Sequence, residues 1–214
     1  MKKFFVLAVL FALPIIAYLF FSSGQNNFAK LPVLTEGVKD ISSLKTLDSS
    51  TVSFDDKITV LAFFGDDLDK MQGLTFNLDQ KILEKYYEFH DFQFVIVLPE
   101  TARQNTIDFS EDFKSIGNPE SWKFAFGSRQ EVKDIYESLG AGYNLDENLS
   151  TPYVFIVDKD GNLRGRDDDE DHGEMYGYDA SSVADLSNKM NDDVKVILAE
   201  YRLALKKYKA ERKN

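Results

Sequence analysis

The sequence predicts an α/β fold, a central mixed β-sheet flanked by helices, preceded by an N-terminal transmembrane helix. Two buried-strand patterns, at 57–64 and 92–98, enclose one helical pattern, and strands joined by such a crossover are parallel. A later apolar strand at 153–157 precedes a turn and a second short strand, which is typical of an antiparallel hairpin. An unbroken apolar run at 4–21 opens the chain.

Composition limits the chemistry that such a domain can perform. The 214 residues include 25 Lys and Arg, 36 Asp and Glu and no Cys, with a net charge of −11. Nucleic-acid binding usually requires a positive surface that neutralises phosphates, so we expect no nucleic-acid partner. The lack of cysteine excludes disulfides, thiol redox catalysis and cysteine-ligated metal centres. Since His90 and His172 are the only histidines, a histidine-rich metal centre is excluded as well.

Residues 1–24 are interpreted as a signal anchor. Lys2 and Lys3 precede the apolar run, which orients the N-terminus towards the cytoplasm and sends the rest of the chain across the membrane. In a helix, the apolar run covers about 27 Å, close to the thickness of the hydrocarbon layer. Ser22 and Gly24 could flank a cleavage site, so a cleaved signal peptide is the alternative. We therefore expect a single-pass protein of the inner (cytoplasmic) membrane with a periplasmic domain.

Residues 25–53 are polar and irregular, and they predict a stalk that leads into a domain at 54–214. The strand at 57–64 is β-branched and aromatic, as expected of a buried strand. Acidic residues directly after it are typical of a helix start, because their side chains accept hydrogen bonds from free backbone N–H groups. The helical pattern then runs from about 76 to 89, and the second buried strand, at 92–98, completes a βαβ unit.

The second half of the domain continues the alternation. After a polar stretch, a short strand at 122–127 precedes an amphipathic helix at 129–139, which ends at Gly140. The predicted hairpin at 153–165 follows. The last element is a long helix at about 181–208 with apolar residues at helical spacing, and the basic residues near its end complement the helix dipole.

The segment from Thr151 to Gly161 resembles the proline-led hairpin of the thioredoxin superfamily, in which the proline is cis and lies beside the redox or metal site. The resemblance implies a thioredoxin-like fold and a cis peptide bond before Pro152, which is uncommon. Further similarities, spread over most of residues 31–205, point to the Sco/SenC family of membrane-anchored copper-handling proteins. They are the N-terminal anchor, Leu31-Pro32, Phe63-Phe64, Trp122-Lys123-Phe124 with Gly127, the segment 162–166, and Glu200-Tyr201. TlpA-like thiol oxidoreductases are the nearest alternative.

The chain departs from this family at the site itself. Sco proteins bind copper with two cysteines spaced C-x-x-x-C after the first core strand, and with a histidine just before the hairpin strand. These positions correspond here to Asp67, Met71 and Ser150, while a TlpA-like C-x-x-C falls on Leu68 and Met71. Cu(I) prefers thiolate and imidazole ligands, so a carboxylate, a thioether and a hydroxyl are a poor substitute. We therefore expect no resident cofactor, although the family implies copper, and a degenerate site at Asp67, Met71, Ser150 and Pro152.

Two groups of residues remain as candidate metal sites, and each has a plainer interpretation. Residues 167–175 offer a set that suits Ca²⁺ or copper: Asp169, Asp171, His172 and Met175. Dense acidic runs are more often solvated or serve as interaction segments. Asp67 and Met71 could share one helix face and hold a metal weakly, but capping by Asp66 or Asp67 and packing of Met71 are the favoured explanation.

The sequence favours a non-catalytic, membrane-anchored domain that binds a protein partner in the cell envelope. By resemblance, that partner belongs to the respiratory oxidase or metal-delivery machinery. A metal-binding protein that uses Asp167–Met175 or the pair Asp67 and Met71 is the second hypothesis. An enzyme is the least favoured, since no nucleophile–base pair is apparent and His90 is not a convincing base. A partner-binding module predicts an exposed apolar surface near Pro152 and the loop at 66–71.

Overall fold

The N-terminal segment is helical in the structure, a computed structural model. Helix α1 spans Lys2–Ser23 and contains Pro14. The side chains of α1 that the structure describes are mostly exposed. The side chains that the structure describes, which in α1 are those of 3–4 and 9–18, include no helical stretch long and apolar enough to cross a membrane. The description covers the backbone of 2–23, 30–114 and 122–211, and the side chains of 3–4, 9–18, 30–114 and 122–204.

A mixed β-sheet forms the centre of the domain, in the strand order β1-β7-β6-β3-β4-β5-β2, and β10 pairs with the beginning of β6. The three middle strands, β3, β4 and β5, are parallel, and every other pairing in this sheet is antiparallel. A separate hairpin joins β8 to β9. The strands are β1 (Val33–Thr35), β2 (Lys45–Thr46), β3 (Ile58–Phe63), β4 (Phe92–Pro99), β5 (Trp122–Gly127), β6 (Tyr153–Val157), β7 (Leu163–Arg164), β8 (Arg166–Asp169), β9 (Gly173–Met175) and β10 (Tyr178–Asp179).

Helices cover both faces of the sheet. The first crossover begins with a 3₁₀ turn and passes through a π-helical turn between α2 and α3, and a second π-helical turn precedes α6. These elements are the 3₁₀ turns Leu68–Met71 and Glu100–Ala102, the π turns Asp79–Leu83 and Asp185–Met190, and the helices α2 (Gln72–Leu78), α3 (Glu84–Tyr86), α4 (Arg103–Phe113), α5 (Arg129–Ser138) and α6 (Asn191–Glu211).

Strand alternation divides the core into two layers. Ile58, Val60 and Ala62 of β3 pack into the layer that also holds Val194 and Ile197 of α6. Leu61 and Phe63, on the opposite face of β3, pack into the layer that holds Val132 and Ile135 of α5. Side chains of a strand point alternately to the two faces of its sheet, so β3 serves both layers. Every residue of β3 and β4 is buried, as expected of parallel strands covered on both sides.

The predicted βαβ unit, the strand at 122–127 with its following helix, and the antiparallel hairpin are confirmed. The crossover helix begins earlier than its apolar pattern indicates, because the 3₁₀ turn at Leu68–Met71 continues directly into α2. The polar stretch after β4 contains α4, which the sequence did not predict.

Residues 31–53, assigned by the sequence to a stalk, contribute to the folded domain in the structure. They contain β1 and β2, which are the two edges of the sheet order. Ile41 and Leu44 are fully buried in the layer beneath α5. The domain as described therefore begins near Leu31, whose side chain is buried in the opposite layer.

Gly65, directly after β3, is the residue at which the backbone leaves the sheet. It has a φ of +66°, and a Cβ atom there would lie 2.2 Å from the carbonyl oxygen of Asn148. Gly37 has the same φ of +66°, but a Cβ atom there would meet nothing within 4 Å. Substitution of each glycine by alanine therefore distinguishes the free-energy cost of the left-handed backbone from the cost of the steric clash at Gly65.

We expect Gly65→Ala to lower the free energy of unfolding by about 3 kcal/mol, because it adds a steric clash to the left-handed backbone. The matched Gly37→Ala change should cost about 1 kcal/mol, since it carries the backbone term alone. Urea unfolding followed by circular dichroism measures both values. Equal losses in the two variants would show that the approach of Gly65 to Asn148 does not constrain the fold.

Candidate functional site

Two loops meet at the carboxyl end of β3. Phe64 forms a single bridge with Ser150, and the N–H of Thr151 donates to the carbonyl of Phe63 at 3.0 Å. The N–H of Asp66 donates to the carbonyl of Asn148 at 3.1 Å. The first loop leads into Asp67 and Met71 and the second contains Ser150 and Pro152, so the structure brings together the loops that carry the four predicted site positions.

Asp67 and Met71 have structural partners of their own. The Asp67 carboxylate lies 2.7 Å from the Lys70 ammonium, and that hydrogen bond lowers the pKa of Asp67. Asp67 is the N-cap residue of the 3₁₀ turn, but its side chain makes no capping hydrogen bond. Met71 is partly buried and packs against the core layer beneath α6. The expected packing of Met71 is therefore confirmed, whereas capping by Asp67 is wrong because its carboxylate pairs with Lys70 instead.

Ser150 is held by Asp146, which the sequence did not single out. The Ser150 hydroxyl donates to one Asp146 carboxylate oxygen at 2.9 Å, and the Ser150 N–H donates to the other at 2.8 Å. The N–H of Asn148 donates to that second oxygen at 2.9 Å. This ring of hydrogen bonds fixes the loop before β6, and the hydroxyl at the family's histidine position is engaged within it.

Asp66 ties the first loop to the 3₁₀ turn before α4 and to the start of α5. Its carboxylate accepts hydrogen bonds from the Thr101 hydroxyl and from the Arg129 guanidinium. Arg129 also donates to the carbonyl of Glu147 at 2.7 Å, in the second loop. The acidic residue predicted to cap the helix thus acts in a longer-range contact, because an arginine at the start of α5 reaches it.

The predicted cis bond before Pro152 is wrong. The described residues contain no cis peptide bond, and Pro152 is among them. The trans form is the intrinsic preference of a peptide bond before proline. Pro152 still lies beside the first loop through its neighbour Thr151, and its carbonyl accepts a hydrogen bond from the N–H of Ala180 at 2.9 Å.

The acidic run does not extend freely into solvent, because it forms the hairpin of β8 and β9. Asp169, Asp171 and His172 each place one possible ligand atom within 4.8 Å of the others. Met175 is buried in the core, away from solvent, while His172 is exposed. The structure therefore brings together three of the four predicted metal residues and assigns the fourth to packing.

A lysine from the π turn before α6 already supplies positive charge to this group. The Lys189 ammonium lies 2.7 Å from an Asp169 oxygen and 2.9 Å from an Asp171 oxygen. The same Asp169 oxygen accepts from the N–H groups of Asp171 and His172, and its other oxygen accepts from Arg166 at 3.3 Å. Burial alone would raise the pKa of Asp169, but Lys189 and the backbone donors lower it to about 2.

A cavity among the described residues lies beside Tyr136, a tyrosine with a raised pKa. It encloses about 340 Å³ between α5 and the loop 140–145, and Lys133, Tyr136 and Glu137 are among its lining residues. Burial raises the pKa of Tyr136 to about 12, and the Thr151 hydroxyl partly opposes the shift. A phenol with so high a pKa stays neutral near pH 7, so Tyr136 can donate a hydrogen bond there but is neither a nucleophile nor a base.

Comparisons with known proteins bear on the fold. The chain is similar to a SCO1/SenC family lipoprotein from Bacillus anthracis, with a TM-score of 0.57 and 16% identity over 82% of this chain and 99% of that one. It is similar to BsSco, a member of the Sco family of cytochrome c oxidase assembly proteins, with a TM-score of 0.52 and 16% identity over 78% and 92% of the two chains.

A provisionally assigned protein disulfide isomerase from Bacteroides thetaiotaomicron gives a TM-score of 0.55 and 14% identity over 80% and 95% of the two chains. The chain has a thioredoxin-like fold. It is similar to the Sco/SenC branch and lacks the cysteines of that branch. No known protein family and no curated protein match the sequence significantly.

The low pKa of Asp169 has a consequence for stability. Because the folded-state pKa of about 2 lies below the ordinary 3.8, this carboxylate stabilises the fold above about pH 4, and the contribution is lost as the pH falls towards 2. We expect Lys189→Met to lower the free energy of unfolding by about 2 kcal/mol at pH 7, with the difference from the wild type shrinking towards pH 2.

Lys195→Met is the matched control, since Lys195 pairs with Asp192 on an exposed surface. It should cost no more than about 0.5 kcal/mol at any pH. Denaturant unfolding of the three proteins between pH 7 and pH 2 gives the comparison. If the Lys189→Met loss is independent of pH, the ammonium does not stabilise the ionised form of Asp169.

Proposed function

We propose that this chain is a non-catalytic, membrane-anchored thioredoxin-fold protein of the cell envelope that acts by binding a protein partner. One observation carries the proposal. At the positions where Sco proteins have metal ligands, this chain has Asp67, Met71 and Ser150, and each of them is engaged locally: in an ion pair, in packing and in a hydrogen bond. The scaffold of the site is retained while its redox and copper chemistry is not.

Membrane anchoring is supported by the character of α1. Its described apolar side chains stand in solvent; Phe4 is 80% exposed, and Phe11 and Ile16 are 66% and 63% exposed. A run of large apolar side chains that the domain does not cover is favourable only against another apolar phase. Together with Lys2 and Lys3 before the run, this supports a single-pass anchor with the domain on the periplasmic side.

An exposed apolar surface beside the two loops supports a protein partner. The Asn77 amide donates to the carbonyl of Ala180 at 3.1 Å, and Ala180 also bonds to Pro152. These bonds bring together the segments that carry Phe76, Pro152 and Val183, and we call these three residues the apolar surface. Phe76 is 43% exposed and Val183 is 45% exposed. By resemblance to Sco proteins, the partner belongs to the respiratory oxidase or metal-delivery machinery.

Site-specific photo-cross-linking in the native host tests the apolar surface. A photoreactive phenylalanine analogue replaces Phe76 in one variant and Ile107 of α4 in the other. The two positions are apolar and equally accessible, at 43% and 42% exposure. We expect a discrete cross-linked protein from position 76 and none from position 107. The same products from both positions, or none from position 76, would contradict the proposal.

Metal binding at the β8–β9 hairpin is the second candidate, favoured by the convergence of Asp169, Asp171 and His172. The bound Lys189 ammonium opposes it, because a cation would have to compete for the same oxygens. Calorimetric titration of the full chain with Ca²⁺ and with Cu²⁺ decides between them. Partner binding predicts no heat, whereas the metal site predicts binding that is lost in His172→Ala and kept in the matched His90→Ala.

A further inference from the structure

The end of α6 carries a concentrated positive charge in an acidic protein. Between Glu200 and Glu211 the sequence contains Arg202, Lys206, Lys207 and Lys209 and no acidic residue. This stretch, 201–210, carries +4 in a chain whose net charge is −11, so the remaining residues carry −15. We call it the basic stretch. Basic residues stabilise the helix dipole only when they lie in the last turn of the helix. Arg202 lies more than two turns before the end of α6, so this effect does not explain it.

The structure joins the basic stretch to the segment that follows α1. Lys30 lies 3.8 Å from Glu200, the residue that precedes the basic stretch. The buried Arg164 side chain donates both to the carbonyl of Leu31 and, at 2.7 Å, to the Glu200 carboxylate. Leu31 is itself buried. The point at which the chain enters the domain is therefore fixed against α6 by two cations and a buried apolar side chain.

Chain length then keeps the basic stretch close to the membrane that would hold α1. From Ser23 to Lys30 there are seven residue steps, which span at most about 25 Å when fully extended. From Glu200 to Lys209, nine residues of helix advance about 14 Å. The greatest length of the segment from Ser23 to Lys30 exceeds this helical distance. The end of α6 can therefore reach the surface of the same membrane when the domain is tilted with α6 towards it.

We propose that the basic stretch of α6 binds anionic lipid headgroups beside the anchor. The inference rests on the proposed membrane anchoring of α1. Each Lys or Arg near an anionic membrane contributes about 1 kcal/mol, and four on one helix end make a lipid-binding element when they are already tethered nearby.

The negative charge of the rest of the domain gives this contact a direction. An anionic membrane surface repels the acidic rest of the domain and attracts the basic stretch. Both forces therefore turn the basic stretch towards the membrane. The contact thereby sets which side of the domain points away from the membrane. Anchor and basic stretch together make two attachments, which restrict the orientation of the domain more than one attachment does.

Fluorescence energy transfer to the lipid surface measures the contact in the full chain. Since the protein has no cysteine, Ala210→Cys gives a single labelling position at the end of the basic stretch. The labelled chain is reconstituted in vesicles that carry a headgroup-attached acceptor, made of phosphatidylcholine alone or with about 30% phosphatidylglycerol. We expect transfer to be at least about threefold greater on the anionic vesicles and the excess to vanish near 0.5 M salt.

A matched pair of charge variants completes the test. Lys206→Gln, Lys207→Gln and Lys209→Gln together should abolish the excess transfer, whereas Lys45→Gln, Lys81→Gln and Lys133→Gln, elsewhere on the domain surface, should retain it. Equal transfer on the two kinds of vesicle, or an excess that survives loss of the three α6 lysines, overturns the lipid contact. Extraction of the wild-type chain from vesicles by alkaline carbonate is a different outcome, since it would overturn the anchoring itself.

Discussion

The close approach of the Gly65 backbone to the carbonyl of Asn148 constrains the whole carboxyl end of the sheet. A side chain at Gly65 would have to occupy the space of that carbonyl, so the loop after β3 can pass only because this residue has no Cβ. The approach brings the N–H of Asp66 to Asn148 and sets Phe64 opposite Ser150. Both loops of the site are positioned by this one contact, and the side chains they carry decide what the site can do.

Hydrogen bonds and ion pairs link the two loops of the site. Arg129 bonds to Asp66 in one loop and to the carbonyl of Glu147 in the other, while Asp146 holds Ser150. Two arginines link other elements of the domain in the same way. The buried Arg164 joins Asp158, Glu200 and Leu31, and the partly buried Arg166 joins Asp193 and Asp169. Removing one member of such a network leaves a charge without its partner, which destabilises the folded domain. These contacts therefore hold the elements together without a bound ligand.

The sequence predicted those features that depend on local periodicity. The largely apolar runs of β3 and β4, the amphipathic pattern of α5 and the turn before β7 are each encoded by residues that are close together in the sequence. Helix α4 was missed because its apolar contribution to the core is little more than Phe109 and Phe113 among polar neighbours. The partners of the candidate sites were missed for a different reason: Arg129 reaches Asp66 over 63 residues, and Lys189 reaches Asp169 over 20, distances at which sequence patterns carry no signal. The resemblance singled out two loops that the structure brings together, but it gave Pro152 the wrong isomer.

We infer that this fold keeps the architecture of a metal site without its chemistry. Competition for Cu(I) between the chain and a chromophoric chelator is the direct test. The full chain is compared with a variant that combines Asp67→Cys, Met71→Cys and Ser150→His. We expect the wild-type chain to remove no copper from the chelator. The variant should take up about one Cu(I) per chain, because two thiolates and an imidazole then lie on the two loops that meet at the end of β3. Stoichiometric uptake by the wild type, or failure of a folded triple variant to bind, would contradict it.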